Sequence, residues 1–208
     1  RNLGVAYGKS GMVEEEIEAY KQAIKINPDY AEARYNLGIV YRESGKYQEA
    51  IESYKQAIKI NPDYAKAHNN LGVAYDESGK YEEAIESYKQ AIRINPDYAY
   101  AHFFLGSTYY ESGMTEEAIE SYKQAIRINP DNAAAHFYLG SIYDESDKYE
   151  EAIESFKQAI RIDPNYAKAH RNLGVAYGKS GMVEEEIEAY KQAIRINPDF
   201  AWEDFDNA

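Results

Sequence analysis

The sequence predicts an all-α fold, a solenoid of stacked antiparallel helix pairs, and three observations carry that prediction. Proline stands at Pro28, Pro62, Pro96, Pro130, Pro164 and Pro198, 34 residues apart each time, and the series uses all 6 prolines of the chain. Leu-Gly recurs at the same step from Leu3 through Leu37, Leu71, Leu105, Leu139 and Leu173, with a tyrosine in register at Tyr7, Tyr41, Tyr75, Tyr109, Tyr143 and Tyr177. The apolar letters between them are spaced by threes and fours, the period of a helix. A fixed period of this length marks stacked supersecondary units.

The units run 1–30, 31–64, 65–98, 99–132, 133–166 and 167–200, with 201–208 an incomplete terminal segment. In the second unit, Arg34, Leu37, Gly38 and Tyr41 gather on one side of a first helix at about 100° per residue. Gly45 in "ESGK" suits the left-handed residue that ends it. A second amphipathic run follows, Tyr47, Ala50, Ile51, Tyr54, Ala57 and Ile58, and Asn61-Pro62 stops it. The third and fourth units repeat this plan with turns at Gly79 and Gly113. In the fifth, Asp147 replaces the turn glycine, and aspartate tolerates positive φ better than most residues, so the turn is expected to survive. Residues 1–30 return at 171–200 with two changes, Lys25 to Arg195 and Tyr30 to Phe200. Glu16 and Glu186 occupy the small-residue site held by Ala50, Ala84, Ala118 and Ala152, so packing there must loosen or let a carboxylate reach water.

These letters resemble the tetratricopeptide repeat, whose signature includes Leu-Gly, a downstream tyrosine, a turn glycine, alanine and tyrosine in the second helix, and a closing proline. The resemblance implies a right-handed superhelix whose concave groove is lined by the variable face of each first helix. It also implies an interaction scaffold rather than an enzyme. Family processes range from chaperone adaptors and secretion accessories to bacterial organelle scaffolds of the magnetosome kind. The family's large residue near the start of the first helix is replaced by Arg34, His68, His102, His136 and His170.

Composition narrows the partners. The net charge of -13 repels phosphate backbones and anionic lipid, so no nucleic acid and no membrane surface are expected. No run of apolar residues is long enough for direct membrane insertion. With no cysteine, disulfides and thiolate chemistry are excluded. A soluble chain is expected, with the cytoplasm favoured as its compartment.

No catalytic, cofactor-binding or metal site is expected. The four histidines sit on neighbouring repeats, and helices packed about 8–10 Å apart hold them too far from one another to share an ion. They read as packing residues. Glu82, Glu83 and Glu86 followed by Lys89 read as a solvated outer face. Phosphate-loop, dinucleotide, nucleophile-elbow, zinc-protease and calcium-loop motifs are all missing.

The variable letters are the candidate site. Asn2, Asn36, Asn70, Phe104, Tyr138 and Asn172 form one row, beside a second that includes Phe103, Phe137 and Arg171 and a third that includes Lys66, Tyr100 and Lys168; Tyr110 lies further along the fourth unit. Asparagine carries both a donor and an acceptor, so such a row can hold the backbone of an extended peptide. Repeats about 10 Å apart match about three extended residues. Tyr100, Phe103, Phe104, Tyr110, Phe137 and Tyr138 would then supply a pocket for an apolar anchor. The family's carboxylate clamp is incomplete: Arg1, Asn36, Lys66 and Asn70 supply part of it, but Val5 replaces an expected asparagine and Asn70 an expected arginine.

The expected partners are protein or peptide segments, together with a second copy of the chain. An uncapped last helix would present Ile187, Tyr190 and Ile194 for end-to-end stacking, giving a homo-oligomer. The tail with Trp202 and Phe205 could instead enter a neighbour's groove. The alternatives are a purely structural self-assembling module and the recognition part of a larger enzyme.

Overall fold

The computed structural model describes residues 2–200, with side chains from Met12 onward. The described residues form 11 helices and no strand. Two compact units divide between Gly113 and Met114. The first holds α1 (Asn2–Ile26), α2 (Ala31–Glu43), α3 (Tyr47–Ile60), α4 (Ala65–Asp76), α5 (Tyr81–Ile94) and α6 (Ala99–Glu111). The second holds α7 (Thr115–Ile128), α8 (Ala133–Glu145), α9 (Tyr149–Ile162), α10 (Ala167–Lys179) and α11 (Val183–Ile196). Within each unit, every helix packs on the next in sequence, and alternate helices α2, α4 and α6, or α8 and α10, also touch. This is an all-α solenoid of stacked antiparallel helix pairs.

The turns form as the letters predict. Gly45, Gly79, Gly113 and Gly181 have φ between 72° and 74°, and Asp147 reaches 58°. The Lys46 amide donates back to the Tyr41 carbonyl at 2.8 Å, satisfying a carbonyl at the end of α2.

The α2–α3, α4–α5 and α8–α9 hairpins are each closed by a ring set against a glycine. Tyr54, Tyr88 and Phe156 are fully buried. A Cβ on Gly38, Gly72 or Gly140 would lie 2.6, 2.7 or 2.8 Å from the facing ring carbon of Tyr54, Tyr88 or Phe156. Glycine stands there because a ring occupies the space of its missing side chain. The second helices complete the core with Ala57, Ala91, Ala125 and Ala159, all fully buried.

The histidines perform a task beyond packing. Nε2 of His68, His102, His136 and His170 lies 2.9–3.1 Å from the carbonyl oxygens of Pro62, Pro96, Pro130 and Pro164, six residues earlier. Arg34 donates to Pro28 in the same way, from Nη2 at 3.0 Å. Each contact ties the first turn of a helix to the proline that ended the previous one.

One sequence adopts two forms. Residues 2–26 are a single helix, whereas the same letters at 172–196, with Arg195 for Lys25, make α10, a turn at Gly181 and α11. Packing supplies the difference: α10 is held between α9 and α11, while α1 packs on α2. At the end of α10, Gly178 makes room for the oversized Glu186, whose Oε1 lies 2.7 Å from where a Cβ would stand.

Candidate peptide-binding surface

In the first unit, the variable faces of α2, α4 and α6 lie side by side and carry a connected polar network. The Asn70 amide donates to Tyr35 Oη at 2.9 Å, and the Asn69 amide donates to Asn70 Oδ1 at 3.3 Å. Tyr35 is fixed in turn by Tyr64 and Tyr54, with ring centroids 5.0 and 5.9 Å away. Asn70 therefore presents a set orientation with one amide hydrogen and one acceptor lone pair still unused. Asn69 is only 3% exposed, and its Oδ1 is buried with no hydrogen-bond partner. Burial raises the phenol pKa of Tyr35 above its ordinary value, against the lowering effect of its Asn70 bond and of Arg42.

Towards the far ends of these helices, Arg42 Nη1 pairs with Glu77 Oε1 at 3.0 Å. Beneath them, burial keeps Tyr54 protonated far above the ordinary phenol range. On α6, Phe104 stacks on buried Tyr88 with centroids 6.1 Å apart, and Phe103 meets Phe104 edge-on at 5.4 Å. Both phenylalanines are half-buried, as are Tyr110 and Asn36. Tyr100 is 64% exposed beside Tyr98, and Lys66 is exposed on α4. The Asn2 side chain lies outside the described residues, as do Arg1 and the tail with Trp202 and Phe205.

In the second unit, Phe137 departs from the expected pocket. It is a core residue, packed on Phe156 and Tyr166 at 5.8 and 5.0 Å and grouped with Ala152, Ala159, Ala169 and Leu173. Its place in the repeat is that of Tyr35, which likewise turns towards its own second helix. Tyr138 remains at the surface, stacked on Tyr122 at 5.8 Å. Arg171 lies over the Phe200 ring, Asn172 is half-buried and Lys168 is exposed. Lys179 Nζ pairs with Asp144 Oδ2 at 2.8 Å.

The letters place Tyr35 and Asn69 on the variable face and offer Arg42 as an anchor, but they do not tell that Asn69 is buried, that Arg42 pairs with Glu77, or that Thr108 is fully buried. For Thr108 the signal was present as a polar letter where other repeats carry apolar ones, since it aligns with Val40, Ala74, Ile142 and Ala176.

Helix hairpins joined by left-handed turns and closed by a glycine–ring contact define an interaction-scaffold solenoid. The chain belongs to the tetratricopeptide repeat family: TPR repeat models match residues 38–78, 77–113, 106–147 and 141–181, and tetratricopeptide repeat models match 19–52, 2–30 and 167–200. A crystal structure of MamA is similar at 30% identity and a TM-score of 0.74, covering 79% of this chain and 96% of that one. YrrB, described as a TPR protein with an unusual peptide-binding site, is similar in fold at 24% identity and a TM-score of 0.73, covering 88% and 94%. MamA 41-end from Desulfovibrio magneticus RS-1 shares the fold at 20% identity and a TM-score of 0.74, covering 81% and 96%. A search of curated proteins by sequence returned no significant match. The family is of a non-catalytic, interaction-scaffold kind. Among the described residues, no helix is long and apolar enough to cross a membrane.

Proposed function

We propose that the chain is a scaffold that holds extended peptide segments across the variable faces of its first helices. The observation that carries this reading is Asn70, held by Tyr35 and Asn69 with a donor and an acceptor left over. An extended backbone offers one N–H and one C=O at matching intervals. Exposed Tyr100 and half-buried Phe104 stand nearby to seat an apolar side chain. A displayed random-peptide library selected against the chain tests the reading. Selected peptides are expected to bind at least tenfold more weakly to Asn70→Ala or Tyr100→Ala; peptides that ignore both changes would refute it.

A second reading, self-association through α11, rests on its exposed face. Val183 is 59% exposed and Ile187 48% exposed, whereas the equivalent Ile51, on a helix followed by α4, is 2% exposed. A second copy's first helices carry the same letters that cover such faces inside the chain. Light scattering should show mass rising with concentration and a return to monomer in Ile187→Glu; a strict monomer in the parent chain would refute it.

A further inference from the structure

The far ends of neighbouring first helices form rungs, each joining a residue to one 35 positions later. Arg42 meets Glu77 at 3.0 Å, and in the other unit Asp144 meets Lys179 at 2.8 Å. Both are pairs of opposite charge. The rung between α4 and α6 is different, because the same register sets Asp76 against Glu111. Neither carboxylate has an ion pair among the described residues, and the nearest cation in register, Arg42, is already engaged with Glu77.

A second, independent observation lies directly beneath this rung. Tyr88 is 0% exposed, and its Oη is buried without a well-formed hydrogen bond, with Thr108 the side chain beside it. Asp76 and Thr108 are the polar groups that act on it most strongly. Thr108 is itself fully buried in a layer that is apolar in the aligned repeats, and it donates to Asp76 Oδ1 at 2.7 Å. One carboxylate oxygen is therefore pinned from below while the rest of the rung stays accessible. Burial, reinforced by Asp76, raises the pKa of the Glu111 carboxyl above its ordinary value, the response of a group that lacks a counter-charge.

We infer that the Asp76–Glu111 rung receives the guanidinium of an arginine in a peptide running along α4 and α6. The inference rests on the peptide-scaffold reading and names the ligand's chemistry. A planar guanidinium carries five donors and can bridge two carboxylates. No group of three or more possible metal ligands exists among the described residues, so two carboxylates suit an organic cation better than a metal ion. Phe104 lies seven residues before Glu111 on α6, about 10 Å along the helix, or about three residues of extended peptide. The ligand class is thus a peptide with an arginine and an apolar side chain about three positions away. The chain's net charge of -13 would speed its arrival.

Fluorescence anisotropy can test this with a labelled peptide carrying one arginine and, three positions on, one phenylalanine, beside a twin in which citrulline replaces arginine. Citrulline keeps the shape and removes the charge. The arginine peptide is expected to bind at least tenfold more tightly than its twin. Glu111→Lys should erase that preference while the chain stays folded, because it installs a pair of the Asp144–Lys179 kind; unchanged helical circular dichroism checks the folding. If both peptides bind equally and both weaken in Asn70→Ala, the arginine assignment is overturned and the groove reading stands. If the arginine preference survives Glu111→Lys, the rung is not its source. If neither peptide binds the parent chain, the arginine assignment is overturned, and the library selection alone decides the groove reading.

Discussion

The glycine–ring contact can be tested by adding one methyl group at two repeats where the geometry differs. At Gly72, a Cβ would lie 2.7, 2.8 and 2.9 Å from Cε1, Cδ1 and Cζ of Tyr88. Carbon atoms settle at about 3.5–4.0 Å, so the ring would have to retreat by roughly 0.8 Å. Tyr88 is fully buried and stacked on Phe104, which leaves it little room. Overpacking of this kind costs about 1–3 kcal/mol, against about 1 kcal/mol gained by replacing a helical glycine with alanine. Three ring atoms in conflict place the strain in the upper part of that range, so Gly72→Ala should lose about 1–2 kcal/mol. At Gly174, the nearest Tyr190 carbons are 3.1–3.2 Å away and the ring is only half-buried. A shift of a few tenths of an ångström suffices, and Gly174→Ala should gain up to about 1 kcal/mol from helix propensity.

The two substitutions are therefore expected to differ in sign. Urea unfolding followed by circular dichroism gives the totals. Because stability in a repeat array is distributed over neighbouring units, amide hydrogen exchange in α5 and α11 gives the local values. Tyr88→Leu should relieve Gly72→Ala, and the double-mutant cycle measures by how much. Equal shifts at both glycines, or no coupling to Tyr88, would show that ring contact does not decide why glycine stands there.

The remaining predictions concern titration and a turn. Burial, with Arg161 adding to it and the Pro130 bond opposing, lowers the His136 pKa below 6.5. The unfolded chain then takes up the proton first, so this stability is complete above pH 6.5 and drains as pH falls below it; His136→Gln should flatten the urea midpoint between about pH 7 and about pH 5, and an unchanged slope would refute the assignment. Burial raises the phenols of Tyr35, Tyr64, Tyr98 and Tyr166 above 10.0, the last to about 12. Their stability is complete below pH 10.0 and is lost as pH climbs from there, so tyrosinate absorbance should grow together with loss of helix; full titration near pH 10.0 with helicity intact would contradict it. Asp147→Gly relieves a positive φ of 58° at the price of the Tyr149 hydrogen bond, and thermal melting should show a gain of up to about 1 kcal/mol.

Much of the fold was legible because a helix hairpin needs few instructions and this chain repeats them in register. Prolines, turn glycines and the Leu-Gly step announced stacked helix pairs, and even the turn at Asp147 was readable through its tolerance of positive φ. The form taken by residues 2–26 was not legible, since the same letters make a hairpin elsewhere and only the packing of neighbouring helices separates the two outcomes. The variable face was legible as a list of letters but not as a surface. Helical period alone cannot say that Phe137 turns inward onto Phe156 and Tyr166 while Tyr138, the next residue, stays at the surface. That choice depends on which ring the second helix offers.

A regular repeat also gives each deviation a built-in control. Thr108 occupies a fully buried site where valine, alanine or isoleucine serves in the aligned repeats, so helix packing there does not require a hydroxyl. Asn69 is buried where Tyr35 and Phe137 show that an aromatic ring fits. Burying an unpaired amide oxygen costs about 1–3 kcal/mol, and two like charges on one rung add repulsion that the Arg42–Glu77 and Asp144–Lys179 rungs avoid. All of these departures fall on α4 and α6, against a scaffold that offers a more stable alternative at each place. The peptide proposed above, bringing its own cation and its own backbone hydrogen bonds, would account for them together.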